Sequence, residues 1–591
     1  MTASAAPALA ATALAAMLAV GLLAPALAIV AEFPSVTTNN GSFILGQRLK
    51  SAGLRGGTAP RDYAAFWGVP YAKPPVGERR FKAPEPSPLP TVVDAKLPAP
   101  ACLQLDRQPS AIIGSEDCLT LQIFTPNYDP AAALDVIVLI HGGGFMFGRG
   151  PRTGLQYIMD YDVVVVNVDY RLGVLGYLSF EDAELPGNAG MLDQVEALRW
   201  VQENIVYFGG NNKSVTLAGF SAGSASALMH TLSPLSKGLF HRVLALSGSP
   251  LNPWAQQPSA LANAKRFAEL ANCTGANTAA IVSCLQAKNA TELVALETHF
   301  QGWQQNPFSP FAPVVDSKSK RPFMPDQPAR LLENKRGPTD VPLLFSVTSE
   351  EGLFPAAEFI LNDTLVQELD ENWADVAPKL LHLHDNRTGE TPSLMHQIRE
   401  HYFQNASLGH SHKQLVQLIS DRDFFAGVND YVLTAAATQS SPVYMYSFEY
   451  RGEFSLTHFL TGGNTSNLGV AHADDFQYFI EFPWSGVMRM PTDLDMRSQL
   501  LELWVSFAKS SIPVLRGANW TPQPKTKSDV LHFLKISGPG NVTMVQAKDF
   551  GQSAFWKSLQ IKENGNNSGR ASASLSLSLV SLAILVFCKL S

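Results

Sequence analysis

The pentapeptide Gly219-Phe220-Ser221-Ala222-Gly223 follows the apolar run 215–218 and precedes a small-residue, helix-compatible stretch, 224–229. Strand, sharp turn and helix in that order form a turn that pushes a serine hydroxyl out above a sheet. The two glycines let the backbone turn tightly without a Cβ clash. A serine held this way can attack an acyl carbon, provided that a general base takes its proton.

A second run supports acyl chemistry. Residues 135–140, Asp-Val-Ile-Val-Leu-Ile, read as a buried strand that leads into His141-Gly142-Gly143-Gly144-Phe145. Three consecutive glycines leave backbone N–H groups uncovered. In the α/β-hydrolase fold such a loop supplies part of an oxyanion hole, and the residue after the nucleophile supplies the rest. The expected donors are Gly143, Gly144 and Ala222, each worth about 3 kcal/mol to a tetrahedral oxyanion. A phosphate-cradling loop is the rival reading. It fails because no Lys-Ser or Lys-Thr follows and the Gly-x-Gly-x-x-Gly spacing is absent.

A serine nucleophile needs a base and an orienting acid, which in this fold follow it in the order Ser, acid, His. His472 stands in a loop-like context, Leu468-Gly469-Val470-Ala471-His472-Ala473-Asp474-Asp475. His382, His384, His410 and His412 read as solvated helix or loop residues, and no metal site is expected from their His-x-His pairs. Residues 341–347 read as a strand, with Thr348-Ser349-Glu350-Glu351-Gly352 at its end, where a catalytic loop belongs. Glu351 is the better acid, Glu350 its rival, and Asp316 a third choice with no clear strand before it.

These residues need a large scaffold. The chain has 591 residues, 46% hydrophobic and 16% charged, enough for one deep core spanning 29–560. A net charge of −7 and a pI near 6.0 argue against a nucleic-acid partner.

The ends point to the secretory pathway. Residues 10–23 form an apolar segment, and Ala26-Leu27-Ala28 is a cleavage pattern, so 1–28 read as a signal peptide. Its start carries no Lys or Arg, a departure from the usual pattern. At the other end, residues 561–591 read as a spacer and hydrophobic anchor signal. Asn567-Ser568-Gly569 precede a short polar stretch and the apolar tail 575–588, the pattern for a GPI lipid anchor at the cell surface. A single transmembrane helix is the rival, but the tail is short for ~30 Å of hydrocarbon. A secreted enzyme is the third reading.

Cys102, Cys118, Cys273 and Cys284 remain once Cys588 is set aside with the tail. Three pairings are formally open; the two short loops, Cys102 with Cys118 and Cys273 with Cys284, are expected. Sequons at Asn40, Asn212, Asn272, Asn289, Asn362, Asn386, Asn405, Asn464, Asn519, Asn541 and Asn566 suggest a glycoprotein.

The chain resembles the type-B carboxylesterase and cholinesterase family of α/β-hydrolases, in look closest to insect carboxylesterases. The resemblance rests on the elbow and glycine loop, on residues 68–77 (Gly-Val-Pro-Tyr-Ala-Lys-Pro-Pro-Val-Gly), and on Ser115-Glu116-Asp117-Cys118-Leu119. It also rests on Asp169-Tyr170-Arg171-Leu172-Gly173, Gly187-Asn188-Ala189-Gly190 and Phe208-Gly209-Gly210. It implies a large, mostly parallel sheet with helices on both faces and a triad of Ser221, Glu351 and His472. It matches both disulfides and two fold-holding ion pairs, Arg80 with Glu116 and Arg171 with Asp193. It implies hydrolysis of a small-molecule ester through an acyl-enzyme, with no cofactor.

Departures from the family's branches narrow the substrate. Cholinesterases place a Trp in the first disulfide loop, where an aromatic face takes the quaternary ammonium; residues 103–117 here contain no aromatic. They place Glu before the nucleophile, juvenile-hormone esterases usually Gln, and here it is Phe220, which suits an uncharged ester. Trp254 matches a position lining the acyl pocket, and a plain core aromatic is its other reading. Two rival functions share the fold: a slow ester or organophosphate scavenger, and a neuroligin-like adhesion ectodomain.

Overall fold

A computed structural model describes residues 33–53, 59–107, 111–151, 154–334, 337, 339–383, 391–481 and 488–561. The expected signal peptide, the C-terminal tail, His384, Asn386 and Asn566 lie outside them.

Eleven strands form one sheet. In chain order they are β1 (Gln47–Lys50), β2 (Asp62–Pro70), β3 (Thr120–Thr125), β4 (Leu134–Ile140), β5 (Val163–Val168), β6 (Gly210–Phe220), β7 (Arg242–Leu246), β8 (Leu343–Thr348), β9 (Val443–Phe448), β10 (Val530–Gly538) and β11 (Asn541–Lys548). Their spatial order is β11-β10-β9-β8-β7-β6-β4-β5-β3-β2-β1. From β5 through β10 all neighbours run parallel, and the antiparallel pairs lie toward the two edges.

Strands covered on both faces read as near-continuous apolar runs, and β4 shows how. Val136, Val138 and Ile140 enter one core cluster, and Ile137 and Leu139 enter the other. The first cluster holds residues of α1 (Ala189–Asn204) and α2 (Ala222–Leu232); the second holds those of α3 (Pro491–Ser510). Truncating a core Leu or Ile to Ala would cost about 2–5 kcal/mol.

Ion pairs and disulfides tie loops to this frame. Arg171, just beyond β5, pairs with Asp193 of α1 at 2.6 Å, both buried. Arg80 pairs with Glu116 through Nε–Oε1 at 2.6 Å and Nη2–Oε2 at 2.7 Å. Cys102 is bonded to Cys118, and Cys273 to Cys284. Among the described residues no helix is long and apolar enough to cross a membrane.

Candidate active site

The central parallel strands end together, and their C-terminal ends carry the reactive side chains. In open α/β sheets this is where ligands bind.

Ser221 lies between β6 and α2 with φ 57° and ψ −124°, a conformation that is strained for a residue with a Cβ. Two glycines make the turn possible. A Cβ on Gly219 would lie 2.1 Å from the Gly223 carbonyl oxygen, and one on Gly223 would lie 2.1 Å from that of Ile140. Strand and helix touch there, backbone to backbone. The Ser221 N–H donates to the Leu246 carbonyl at 2.7 Å, which fixes the turn to β7.

Peptide planes around the glycine loop are held from behind. The Gly142 carbonyl is 2.8 Å from His141 Nδ1, and the Gly143 carbonyl accepts from Met146 and Phe147 at 3.0 and 3.1 Å. Carbonyl and N–H point opposite ways in a trans peptide, so these contacts turn out the N–H groups of Gly143 and Gly144. The Ser221 carbonyl accepts from Ala225, which turns out that of Ala222. Among the described residues none of the three N–H groups donates to a protein acceptor. His141 is buried and stacks on Tyr170 at 4.5 Å. Burial lowers its pKa to about 4, partly offset by the Gly142 carbonyl. It is therefore neutral at pH 7, and Nδ1–H is the tautomer that donates to Gly142.

Glu351 follows β8 and is fully buried. Its Oε2 is 2.5 Å from His472 Nδ1. Its Oε1 accepts from Ser247 Oγ at 2.5 Å and from the Thr348 N–H at 2.8 Å. His472 Nε2 is buried and, among the described residues, has no hydrogen-bond partner, which leaves it available to a reacting proton. Such contacts commonly tighten only when substrate binds.

Glu350 and Asp316 are placed elsewhere. The Glu350 carboxylate accepts from the Val470 N–H at 2.7 Å and from Ser349 Oγ at 2.6 Å; it clamps the loop that carries His472. Asp316 accepts from the Phe323 and Met324 N–H groups within a turn.

Three residues near the site were not singled out from sequence. Ser247 lies just beyond β7 with φ 56° and fixes one oxygen of Glu351. Asp474 accepts from the Leu456 and Ala471 N–H groups; burial raises its pKa to about 7, offset in part by the Leu456 hydrogen bond. Asp475 accepts from Ser346 Oγ and the Tyr446 hydroxyl. Burial raises it to about 6, offset by Ser346 and reinforced by the charge of Glu351. The only sequence signal for the last two was adjacency to His472.

Aromatic rings wall the site. Phe424 and Phe354 lie 4.8 and 5.5 Å from the His472 ring, and Phe308 lies edge-on to Phe354 at 5.3 Å. A Cβ on Gly144 would lie 3.0 Å from the Phe308 ring. Trp254 is buried against Phe308, Phe424 and Phe145 at 6.0, 5.9 and 6.3 Å, with its Nε1 donating to the Asp423 carbonyl. Phe220 stacks on Phe476 at 4.4 Å and packs against the core on the α3 side of the sheet.

One expectation is overturned. His382 is not solvated: it is buried, 4.4 Å from the Phe308 ring, with its Nδ1 3.5 Å from the Asp423 carboxylate. Its neighbours Leu380, Leu381 and Leu383 are buried, and they carry the ring in beneath the aromatic wall. His410 is exposed. His412 is half-buried, and its Nε2 is fully covered. Among the described residues no three His, Cys, Asp or Glu side chains cluster as metal ligands.

Residues 32–553 match the model of the carboxylesterase family. The chain belongs to that family. It is 35% identical to venom carboxylesterase-6 of Apis mellifera over 91% of this chain and 96% of that protein. It is 36% identical to esterase FE4 of Myzus persicae over 81% of this chain and 86% of that protein. A solved juvenile hormone esterase from Manduca sexta, with OTFP covalently attached, superposes with a TM-score of 0.78 at 28% identity, covering 90% of this chain and all of that one. The protein is thus an α/β-hydrolase and a carboxylic ester hydrolase acting on a small-molecule ester. Neither the adhesion reading nor the scavenger reading is favoured by these relatives.

Proposed function

We propose that this carboxylesterase hydrolyses neutral carboxylic esters through an acyl-enzyme on Ser221. The observation that carries the reading is the buried 2.5 Å contact between Glu351 and His472 Nδ1. It is set at the same sheet end as a strained serine and three outward N–H groups. Ser221 Oγ attacks the ester carbonyl while His472 Nε2 takes its proton. Glu351 holds the imidazole with Nε2 unprotonated and stabilises the imidazolium that forms. The N–H groups of Gly143, Gly144 and Ala222 bind the oxyanion. His472 then protonates the leaving alcohol, and water deacylates the serine with His472 again as base.

Neutral substrates fit the surroundings. The first disulfide loop offers no aromatic, and Phe354 beside His472 already carries the Arg107 guanidinium 5.1 Å from its centroid. A second cation gains little from a ring so occupied. Trp254, Phe308, Phe354 and Phe424 suit an apolar acyl group. Phe220, beside the nucleophile, adds no charge. A p-nitrophenyl ester chain-length series tests the reaction, and matched acyl groups on choline and on a neutral alcohol test selectivity. A clear kcat/KM advantage for choline overturns the neutral-ester reading.

The enzyme is proposed to act outside the cell, on the lipid anchor that residues 561–591 encode, after loss of residues 1–28. Two disulfides favour an oxidising compartment. Asn40, Asn272, Asn289, Asn362, Asn405, Asn464, Asn519 and Asn541 are exposed and open to glycans. Asn212 is half-buried, and its Nδ2 donates to the Gln202 carbonyl. Phosphatidylinositol-specific phospholipase C should release active enzyme from cells. No release, with 575–591 found in the membrane-bound protein, makes the tail a transmembrane helix.

A further inference from the structure

The loop closed by Cys102 and Cys118 grips both halves of the site. On one side, Gln104 Nε2 donates to the Gly148 carbonyl at 2.9 Å, and its Oε1 accepts from the Gly148 N–H at 2.7 Å. Gly148 closes the oxyanion loop; a Cβ there would lie 2.4 Å from both the Gly142 oxygen and His141 Nδ1.

On the other side stands Arg107. Its guanidinium meets the Glu358 carboxylate through two contacts, Nε–Oε1 and Nη2–Oε2, each 2.7 Å. The side chains are 6% and 13% exposed. The same guanidinium covers Phe354, whose ring stacks on His472 at an interplanar angle of 29°. Phe354 and Glu358 both lie on the segment that leaves Glu351. The Phe354 backbone is non-helical, with φ −102° and ψ 109°, so no regular element sets the direction of its ring. Its packing partners set it, and Arg107 is the one pinned by a bidentate fork. Such forks fix orientation as well as distance.

We propose that Arg107 is a positioning residue for His472: with Glu358 it holds Phe354 against the imidazole and so keeps the ring aligned for proton transfer. The proposal rests on the Ser221–Glu351–His472 reading. It gives the first disulfide loop a task in place of binding a cationic alcohol. Releasing the fork frees Phe354 to turn, and a misalignment near 1 Å at the base costs on the order of 10²-fold in rate.

Removing Arg107 alone strands a buried carboxylate, so the double variant Arg107→Met/Glu358→Gln is the main test. The full-length enzyme is assayed on p-nitrophenyl acetate and butyrate. Active serines are counted by the p-nitrophenolate released from a p-nitrophenyl organophosphate, and Tm is recorded. The expected result is kcat per titrated serine reduced roughly 10- to 100-fold with KM changed less than about threefold. Arg107→Lys, which keeps charge but not the fork, should recover part of the loss. Phe354→Leu should lower kcat similarly, and adding it to the double variant should lower kcat little further. A kcat per titrated serine within about threefold of the parent overturns the proposal, whatever Tm does, and so does full additivity with Phe354→Leu. Ser221→Ala separates the two readings: if it still turns over ester, the triad itself is wrong.

Discussion

Ser221 and its three oxyanion donors come from two strand–turn units, 134–148 and 210–232, whose strands β4 and β6 pair directly. Glu351 and His472 are 121 residues apart and meet only through loops beyond the sheet. The first region is held by backbone contact. Its glycines sit where any Cβ would strike a carbonyl, at Gly143, Gly219 and Gly223. The second is held by carboxylates, a half-buried Glu350 and a buried Asp474. Glu350 ties down the His472 loop, and Asp474 ties that loop to Leu456. Backbone contact has little tolerance, because a close-packed carbonyl cannot retreat. A network of side chains can lose one member and adjust. The nucleophile region should therefore fail sharply and the acid–base region by degrees.

The largest expected effect is at the nucleophile. Ser221→Ala should lower turnover of a short aryl ester by roughly 10⁵-fold or more, leaving oxyanion binding alone. Circular dichroism should show the fold intact. Gly223→Ala acts on the same region through packing. Its Cβ would lie 2.1 Å from the Ile140 carbonyl oxygen, so the expected outcome is poor soluble yield and near-complete loss of activity. Normal yield with normal activity would show that strand and helix can part, and the contrast between the regions would fall.

In the acid–base region the effects should be graded. Glu351→Gln should cost on the order of 10⁴-fold in kcat, as the imidazole loses its tautomer and its counter-charge. Glu350→Gln keeps an oxygen for the Val470 N–H, so its loss should be under about tenfold, the scale of one weakened hydrogen bond. Steady-state kinetics on both variants decides. Equal losses, or the reverse order, would exchange the roles of the two carboxylates.

The same division explains what could be read from the sequence. The elbow and glycine loop are legible because local backbone geometry demands glycine at fixed spacing. Strand β4, most of β8 and the 215–218 part of β6 are legible because burial on both faces favours largely apolar runs; the polar start of β6, Gly210 to Ser214, gives no such signal. Glu351 could be preferred to Glu350 only through its place beside Gly352 and through family resemblance. Local sequence does not say which of two adjacent carboxylates turns inward. Ser247 and Asp475 were missed because their roles depend on strands 100 residues or more away: Ser247 on Glu351, separated by 104, and Asp475 on Ser346, separated by 129. His382 was misread for a related reason. The leucines at 380, 381 and 383 are an apolar signal, but nothing local says that Phe308 and Asp423 enclose the ring.

The smallest expected effect lies behind the oxyanion loop, and it is one of stability. The Gly173 N–H donates to the Phe145 carbonyl. The next N–H, that of Val174, donates to Glu297 Oε1 at 2.7 Å. Glu297 is buried and its Oε2 has no hydrogen-bond partner among the described residues. Burial raises its pKa from 4.5 to about 8, against a lowering by the Val174 hydrogen bond. A carboxyl with a raised native pKa binds its proton more tightly when folded. The native state therefore holds more protons than the unfolded state between pH 4.5 and 8, and stability falls as pH rises through that window. Glu297→Gln keeps the shape and the acceptor for Val174 but cannot ionise. Its stability should match the parent's near pH 5 and exceed it by pH 8, by a margin on the order of 3–4 kcal/mol that appears as a higher Tm. Thermal melts across that range read the difference directly. A constant offset at all pH values would mean that Glu297 does not titrate there, and the support of the oxyanion loop would then be no more sensitive to charge than its backbone contacts are.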